Sequence, residues 1–182
     1  VLFFVIVIIT CIILGLWQID RASEKAHLYH AFNERISKNP IQFEVIKSNP
    51  VDFTKIIVTG TYISNKQFLL DNKIFNKEAG YEVISPMLFD DQIVLINRGW
   101  VSNNNRQSLP NIDIQNVDSQ AIGYIYKYKD FYQLSEDFYK NDWPLTIQNI
   151  EIDKIKQMFR YKVFPYVLIM SEDQENSYNI QT

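Results

Sequence analysis

The sequence predicts an α+β chain: an N-terminal transmembrane helix, then a mostly antiparallel β domain, able to curl into a barrel, with one or two short helices. Three observations carry this. An unbroken bulky apolar run opens the chain, short β-branched and aromatic runs recur between turn residues through its middle, and helical spacing appears only twice after the apolar run.

From Val1 to Trp17 only Thr10, Cys11 and Gly15 interrupt the apolar run, and the first charge is Asp20. Seventeen helical residues cover about 26 Å, at the low end for a hydrocarbon core of about 30 Å. Trp17 falls where aromatic rings favour the membrane boundary, with Asp20, Arg21, Glu24 and Lys25 beyond it in water. A cleaved signal peptide is the competing reading, but the run exceeds the usual 7 to about 15 residues and no small-x-small cleavage site follows. Cys11 is the sole cysteine, so it makes no intramolecular disulfide. Ile8-Ile9-Thr10 lacks the small residue that a lipoprotein signal places before its cysteine.

Ser23 to Lys38 reads as a helix continuing the anchor, with Leu28, Phe32 and Ile36 at four-residue spacing and Asn39-Pro40 as its stop. The strands follow: Ile56 to Ile63 across Gly60, Phe68 to Leu70, Tyr81 to Ile84, Ile93 to Ile96, and Ala121 to Tyr126. Asp90-Asp91-Gln92 reads as a hairpin turn, and the apolar-free Ser102 to Arg106 as a surface loop. Ile152, Ile155, Met158 and Phe159 share a helical face, Pro165 to Met170 is a last strand, and Ser171 onward is polar without period. The implied organisation is an anchor over 1–19, a juxtamembrane helix over 20–39, a β-rich domain over 40–170 and a polar tail over 171–182.

Composition excludes more than it selects. A net charge of −3, evenly spread, offers no footprint for nucleic acid. The 14% aromatic content fits strand-rich core volume before it fits a ligand surface. There is no phosphate-binding glycine loop, nucleophile elbow or zinc helix, so no catalytic residue is assigned. His27 and His30, at i and i+3, could both reach a haem iron or metal, or be solvated polar residues; two ligands without a nearby cysteine or carboxylate cluster make an incomplete metal site. Asp90-Asp91 and Glu172-Asp173 sit in turn and tail sequence, where charge is solvated.

Asn97-Arg98-Gly99-Trp100-Val101, directly after an apolar strand, is the least ordinary stretch. Arg98 could clamp a carboxylate or haem propionate. Alternatively it pairs with an internal carboxylate at a strand end where Gly99 allows a bulge.

Gly15-Leu16-Trp17-Gln18 with Arg21 and Lys25 resembles the membrane-exit signature of the surfeit locus protein 1 family. Val58-Thr59-Gly60-Thr61-Tyr62, Leu70-Asp71, Gly80-Tyr81-Glu82-Val83-Ile84-Ser85-Pro86 and Val94 to Val101 resemble its successive strands in order, and Gly123, Trp143 and Pro165 continue the likeness to about residue 170. The resemblance implies a non-enzymatic factor in cytochrome c oxidase assembly, acting as haem a is inserted into or stabilised in the catalytic subunit. Its implied partners are that subunit, other assembly factors and membrane lipid. It also implies a domain facing the periplasm or intermembrane space. Trp17, Gln18, Arg21, Gly60, Tyr62, Gly80, Asn97, Arg98, Gly99 and Trp100 become the partner-contacting or structural motif, and His27 and His30 the candidate contacts for a transient haem a. The family's Asn-His approach to a second membrane helix has no counterpart before Thr182, so the polar tail is expected to lead to a helix that is missing or lost. A membrane-tethered binding module unrelated to the oxidase is the alternative.

Overall fold

The computed structural model describes residues 1–103, 108–115, 118–128, 143–172 and 174–180. The chain divides into two compact units, Val1–Lys38 and Asn39–Thr182.

The first unit is one continuous helix, α1 (Leu2–Ile36). No residue along it is buried, and it is long and apolar enough to cross a membrane. Its second half carries the charges, with an Arg21–Glu24 pair at 3.7 Å and Glu34–Lys38 at 2.9 Å. Pro40 disfavours helical backbone at the residue before it, so the helix ends within the preceding residues.

The second unit contains β1 (Ile41–Gln42), α2 (Phe43–Ile46), β2 (Lys55–Tyr62), β3 (Phe68–Phe75), β4 (Glu78–Phe89), β5 (Gln92–Ser102), β6 (Asp118–Tyr126), β7 (Leu145–Ile147), α3 (Ile152–Lys156) and β8 (Lys162–Met170). Strands β2, β6, β8, β5 and β4 hydrogen-bond in that order, and β4 returns to β2 through Thr61 opposite Leu88 and Tyr62 opposite Met87. A five-stranded barrel results. Within it only β5 and β8 run parallel; β3 continues the sheet outward from β4, while β7 and β1 add parallel to β3 and β2.

Two residues explain how β4 serves two neighbours on one edge. Its first half pairs with β3 and its end with β2. Pro86 lies at the change of partner, where its carbonyl accepts the Ile63 N–H at 2.9 Å and its missing N–H costs no ladder bond. At the closing seam, a Cβ on Gly60 would strike the Leu88 carbonyl oxygen, so the two strands meet at this distance only over glycine.

Alternation fills the barrel. Ile56, Val58 and Tyr62 from β2, Val94 and Ile96 from β5, Ala121 and Ile125 from β6, and Leu168 and Met170 from β8 form one core with Phe43 and Phe164. Phe43 stands edge-on to Phe164 and Phe89, at 4.9 and 5.3 Å between centroids. The opposite faces of β5 and β8 are apolar too, and Ile93, Leu95, Val163 and Val167 are covered by Leu145, Ile147, Ile150 and Ile155. This second layer makes β5 apolar on both faces, which is why it reads as an unbroken run.

The hairpin expected at Asp90-Asp91-Gln92 is present, with Phe89 opposite Gln92. The helix expected over Ile152 to Phe159 stops at Lys156, and Met158 and Phe159 reach the same apolar cluster from the turn that follows. Of the expected loop, Ser102 belongs to β5, Asn103 follows it, and 104–106 lie outside the described residues.

Candidate functional site

The residues from Asn97 to Trp100 sit on a β-bulge. Ile84 faces Asn97 and Glu82 faces Trp100, so Arg98 and Gly99 together stand opposite Val83 alone. The extra residue reverses the strand's in-and-out order. Arg98 points with Ile96 toward the barrel interior, whereas Trp100 joins Asn97 on the other face.

Arg98 is 2% exposed. Its Nη1 donates to Gln67 Oε1 at 3.0 Å, the Ile112 carbonyl at 3.1 Å and Ser85 Oγ at 3.3 Å. Nε donates to the Asn176 carbonyl at 2.8 Å and Nη2 to the Tyr178 hydroxyl at 3.4 Å, with the guanidinium 4.8 Å from the Tyr178 ring centre. Gln67 is itself held, accepting from Ser85 Oγ at 2.7 Å and donating to the Ile112 and Ser64 carbonyls, both at 3.2 Å. Burial lowers the Arg98 pKa, opposed by the neighbouring Tyr178 and Tyr62, yet a guanidinium is basic enough to stay charged at neutral pH. Burial also pushes the Tyr62 hydroxyl up to about 12, against the pull of Arg98.

Of the two accounts that the sequence allows for Arg98, the bulge is present but the internal carboxylate is not its partner. Arg98 makes no ion pair among the described residues; neutral oxygens replace the expected acid. The outward clamp is not formed either, because the guanidinium is enclosed.

The covering chain is the polar stretch after β8. Residues 174–180 lie across the bulge: Tyr178 N–H donates to the Arg98 carbonyl at 2.6 Å and Trp100 N–H to the Asn179 carbonyl at 2.7 Å. Gly99, at φ +106°, makes this possible, since a Cβ there would stand 2.8 Å from the Asn179 oxygen and 2.9 Å from Ile180. Ile180 closes into the barrel core at 8% exposure. Gln174 docks on β6, accepting the Ile122 N–H at 2.7 Å and donating back to the Ile122 carbonyl. Composition alone presents this stretch as a tail; its amides and one isoleucine make it part of the domain.

On the other face, Trp100 Nε1 donates to the Lys73 carbonyl at 3.2 Å and the ring lies 5.4 Å from Phe75. Gly80 leaves room for that indole, which a Cβ would meet at 2.5 Å. Beside it Glu82 accepts from Asn97 Nδ2 at 3.0 Å and Tyr128 OH at 3.2 Å, with Lys73 Nζ at 3.4 Å. Asn97 Oδ1 accepts the Gly99 N–H at 2.9 Å and so ties this cluster to the bulge. Burial, then the Glu82 carboxylate, raises the Tyr128 pKa far above its usual range. Sequence reasoning finds the motif but assigns no site role to Glu82 and Ser85, which it places only in a family-like strand, and misses Gln67, Tyr128 and Tyr178, whose only signal is position in the fold.

Trp17, Gln18, Arg21, His27 and His30 all lie exposed on α1, apart from the barrel motif in the chain's division into units. The fit to a resident haem is poor at both candidate places, the histidine pair and the cleft beside Trp100. Two histidines on one helix face cannot take the opposite axial positions of one iron, and α1 carries no apolar wall of its own around them. The cleft between Glu82, Trp100 and Tyr128 has about 40 Å³, room for a few waters and far too little for a porphyrin. No group of three His, Cys, Asp or Glu that could hold a metal occurs among the described residues.

The SURF1 family model matches residues 5–181. A SURF1-like protein of Rickettsia bellii is 30% identical over 104 residues, covering 56% of this chain and 43% of its own length. The cytochrome oxidase assembly protein SHY1 of Saccharomyces cerevisiae is 32% identical over 95 residues, covering 49% of this chain and 24% of its own. A SURF1-like protein of Monosiga brevicollis is 30% identical over 105 residues, 48% of this chain and 39% of its own. The chain thus spans less than half the length of these curated relatives.

Proposed function

The chain belongs to the SURF1 family, and on that premise we propose that it is a membrane-anchored factor in cytochrome c oxidase assembly that catalyses no reaction itself. The observation that carries this reading is the family match over residues 5–181, supported by a relative whose name is that of an oxidase assembly protein. The apolar half of α1 supports the anchor, being long enough to span a bilayer.

In this reading the barrel faces the outside of the cytoplasm and presents its surface to the oxidase catalytic subunit and to other assembly factors, with lipid around α1. The enclosed state of Arg98, 2% exposed, favours a structural part for the motif in oxidase assembly. Insertion of haem a into the oxidase is the step it would assist. Since neither the histidine pair nor the cleft beside Trp100 fits a resident haem, that assistance is assigned to protein contact, with His27 and His30 as candidate contacts for haem in passing.

Deleting the gene in its host, then measuring oxidase activity alongside total haem a, tests the proposal. Oxidase should fall while haem a synthesis persists, and the gene supplied in trans should restore it; unchanged oxidase overturns the reading. An absorption spectrum of protein purified from cells that make haem a tests the histidine contact, which requires a haem band lost on His27→Ala or His30→Ala.

A further inference from the structure

Residues 174–180 lie along β5 at the bulge, over Arg98 to Trp100. Two main-chain bonds, Tyr178 N–H to the Arg98 carbonyl and Trp100 N–H to the Asn179 carbonyl, pair the segment antiparallel with β5. This is how an extended peptide adds to a strand. The guanidinium is fixed independently, because its Nη1 is bonded to Gln67, Ser85 and the Ile112 carbonyl. Its remaining fork, Nε with Nη2, faces the segment and matches the geometry of a carboxylate.

The present occupant fills that fork incompletely. It offers a carbonyl at 2.8 Å and a phenolic oxygen at 3.4 Å, neither of them charged. A carboxylate would meet Nε and Nη2 as a bidentate pair and would supply the buried cation with the anion that it lacks among the described residues, which neither neutral oxygen does. The segment's apolar anchorage rests on Tyr178 and Ile180.

We propose that the groove over Gly99 is a binding site for an extended segment of a partner protein, kept closed by the chain's own residues 174–180. The preferred occupant carries a carboxylate where Tyr178 presents its hydroxyl and an apolar residue two positions later, where Ile180 fills the core. The segment acts as an internal competitor, and the partner replaces it strand for strand.

The test uses the full chain in detergent, titrated with a synthetic heptapeptide of residues 174–180 and with the same peptide bearing Tyr178→Glu. The acidic peptide should bind about tenfold more tightly than the unmodified one, and binding should speed hydrogen exchange at the chain's own Tyr178 amide. Tyr178→Ala in the chain should tighten peptide binding several-fold, since a larger fraction of molecules then has the site open. Misfolding would weaken binding, so such a gain cannot come from damage. Failure of the chain and its Tyr178→Ala variant to bind either peptide overturns the proposal. So does equal release of the segment by acetate alone, which would mean that a free carboxylate, not a partner strand, is recognised. No oxidase measurement enters, so the outcome is independent of the assembly reading.

Discussion

Tyr62 reports on the barrel interior through its hydroxyl. The folded chain holds that proton up to about 12, against an ordinary 10.0, because the phenolate would be buried. Between pH 10 and 12 the unfolded chain has lost the proton and the folded chain has kept it, so stability present below about pH 10 is lost as pH rises toward 12. Two units correspond to about 3 kcal/mol. Urea unfolding from pH 9 to 12 should show this decline, and Tyr62→Phe should flatten part of it, the remainder coming from Tyr128 and Tyr124, whose pKa values burial also raises. An equally steep decline in the variant would remove Tyr62 from the account. At this scale the sequence is informative about which residues matter and silent about what they touch. Asn97 to Trp100 stand out by type, but the partners of Arg98 come from the β2–β3 turn, β4, the stretch between β5 and β6 and the C-terminal segment, separations that no local pattern encodes.

Among elements, the strands of eight residues or more, each with at least one buried face, are all visible in the sequence, from β2 through β6 and in β8. The missed ones are β1 and β7, of two and three residues, too short to carry a period. The docked segment is missed for a different reason: its attachment is made by main chain and by polar side chains such as Gln174, which composition reads as solvent-facing. Gln174 completes β6 beyond the end of β8, satisfying both backbone groups of Ile122. Gln174→Ala should leave that N–H unpaired at a cost of about 1 to 3 kcal/mol, with faster hydrogen exchange at Ile122 and little change at Val94 to Ile96. Unaltered exchange at Ile122 would show that the glutamine is dispensable.

For the whole molecule, the division at Lys38 separates a helix with no buried residue from a unit that holds the hydrophobic clusters. The fragment 39–182 should therefore remain in aqueous solution and unfold in one cooperative transition by circular dichroism, whereas the full chain should need detergent. A fragment without a cooperative transition would mean that α1 contributes to the fold. The class and the anchor are legible because each rests on a long, continuous pattern. Barrel closure is not, since it depends on Gly60 and Pro86, single residues whose meaning appears only once β4 is seen to change partners.

The last strand among the described residues, β8, is also the one wedged between β6 and β5, so the sheet cannot seal until that strand has been made and threaded into place. While synthesis proceeds, both neighbours keep bare rims able to pair with any passing strand, and the wait lengthens because β5 finds its mate some seventy residues downstream. A nascent copy stalled before Lys162 should be a ready client for chaperones and proteases, one that completion abruptly removes from their reach.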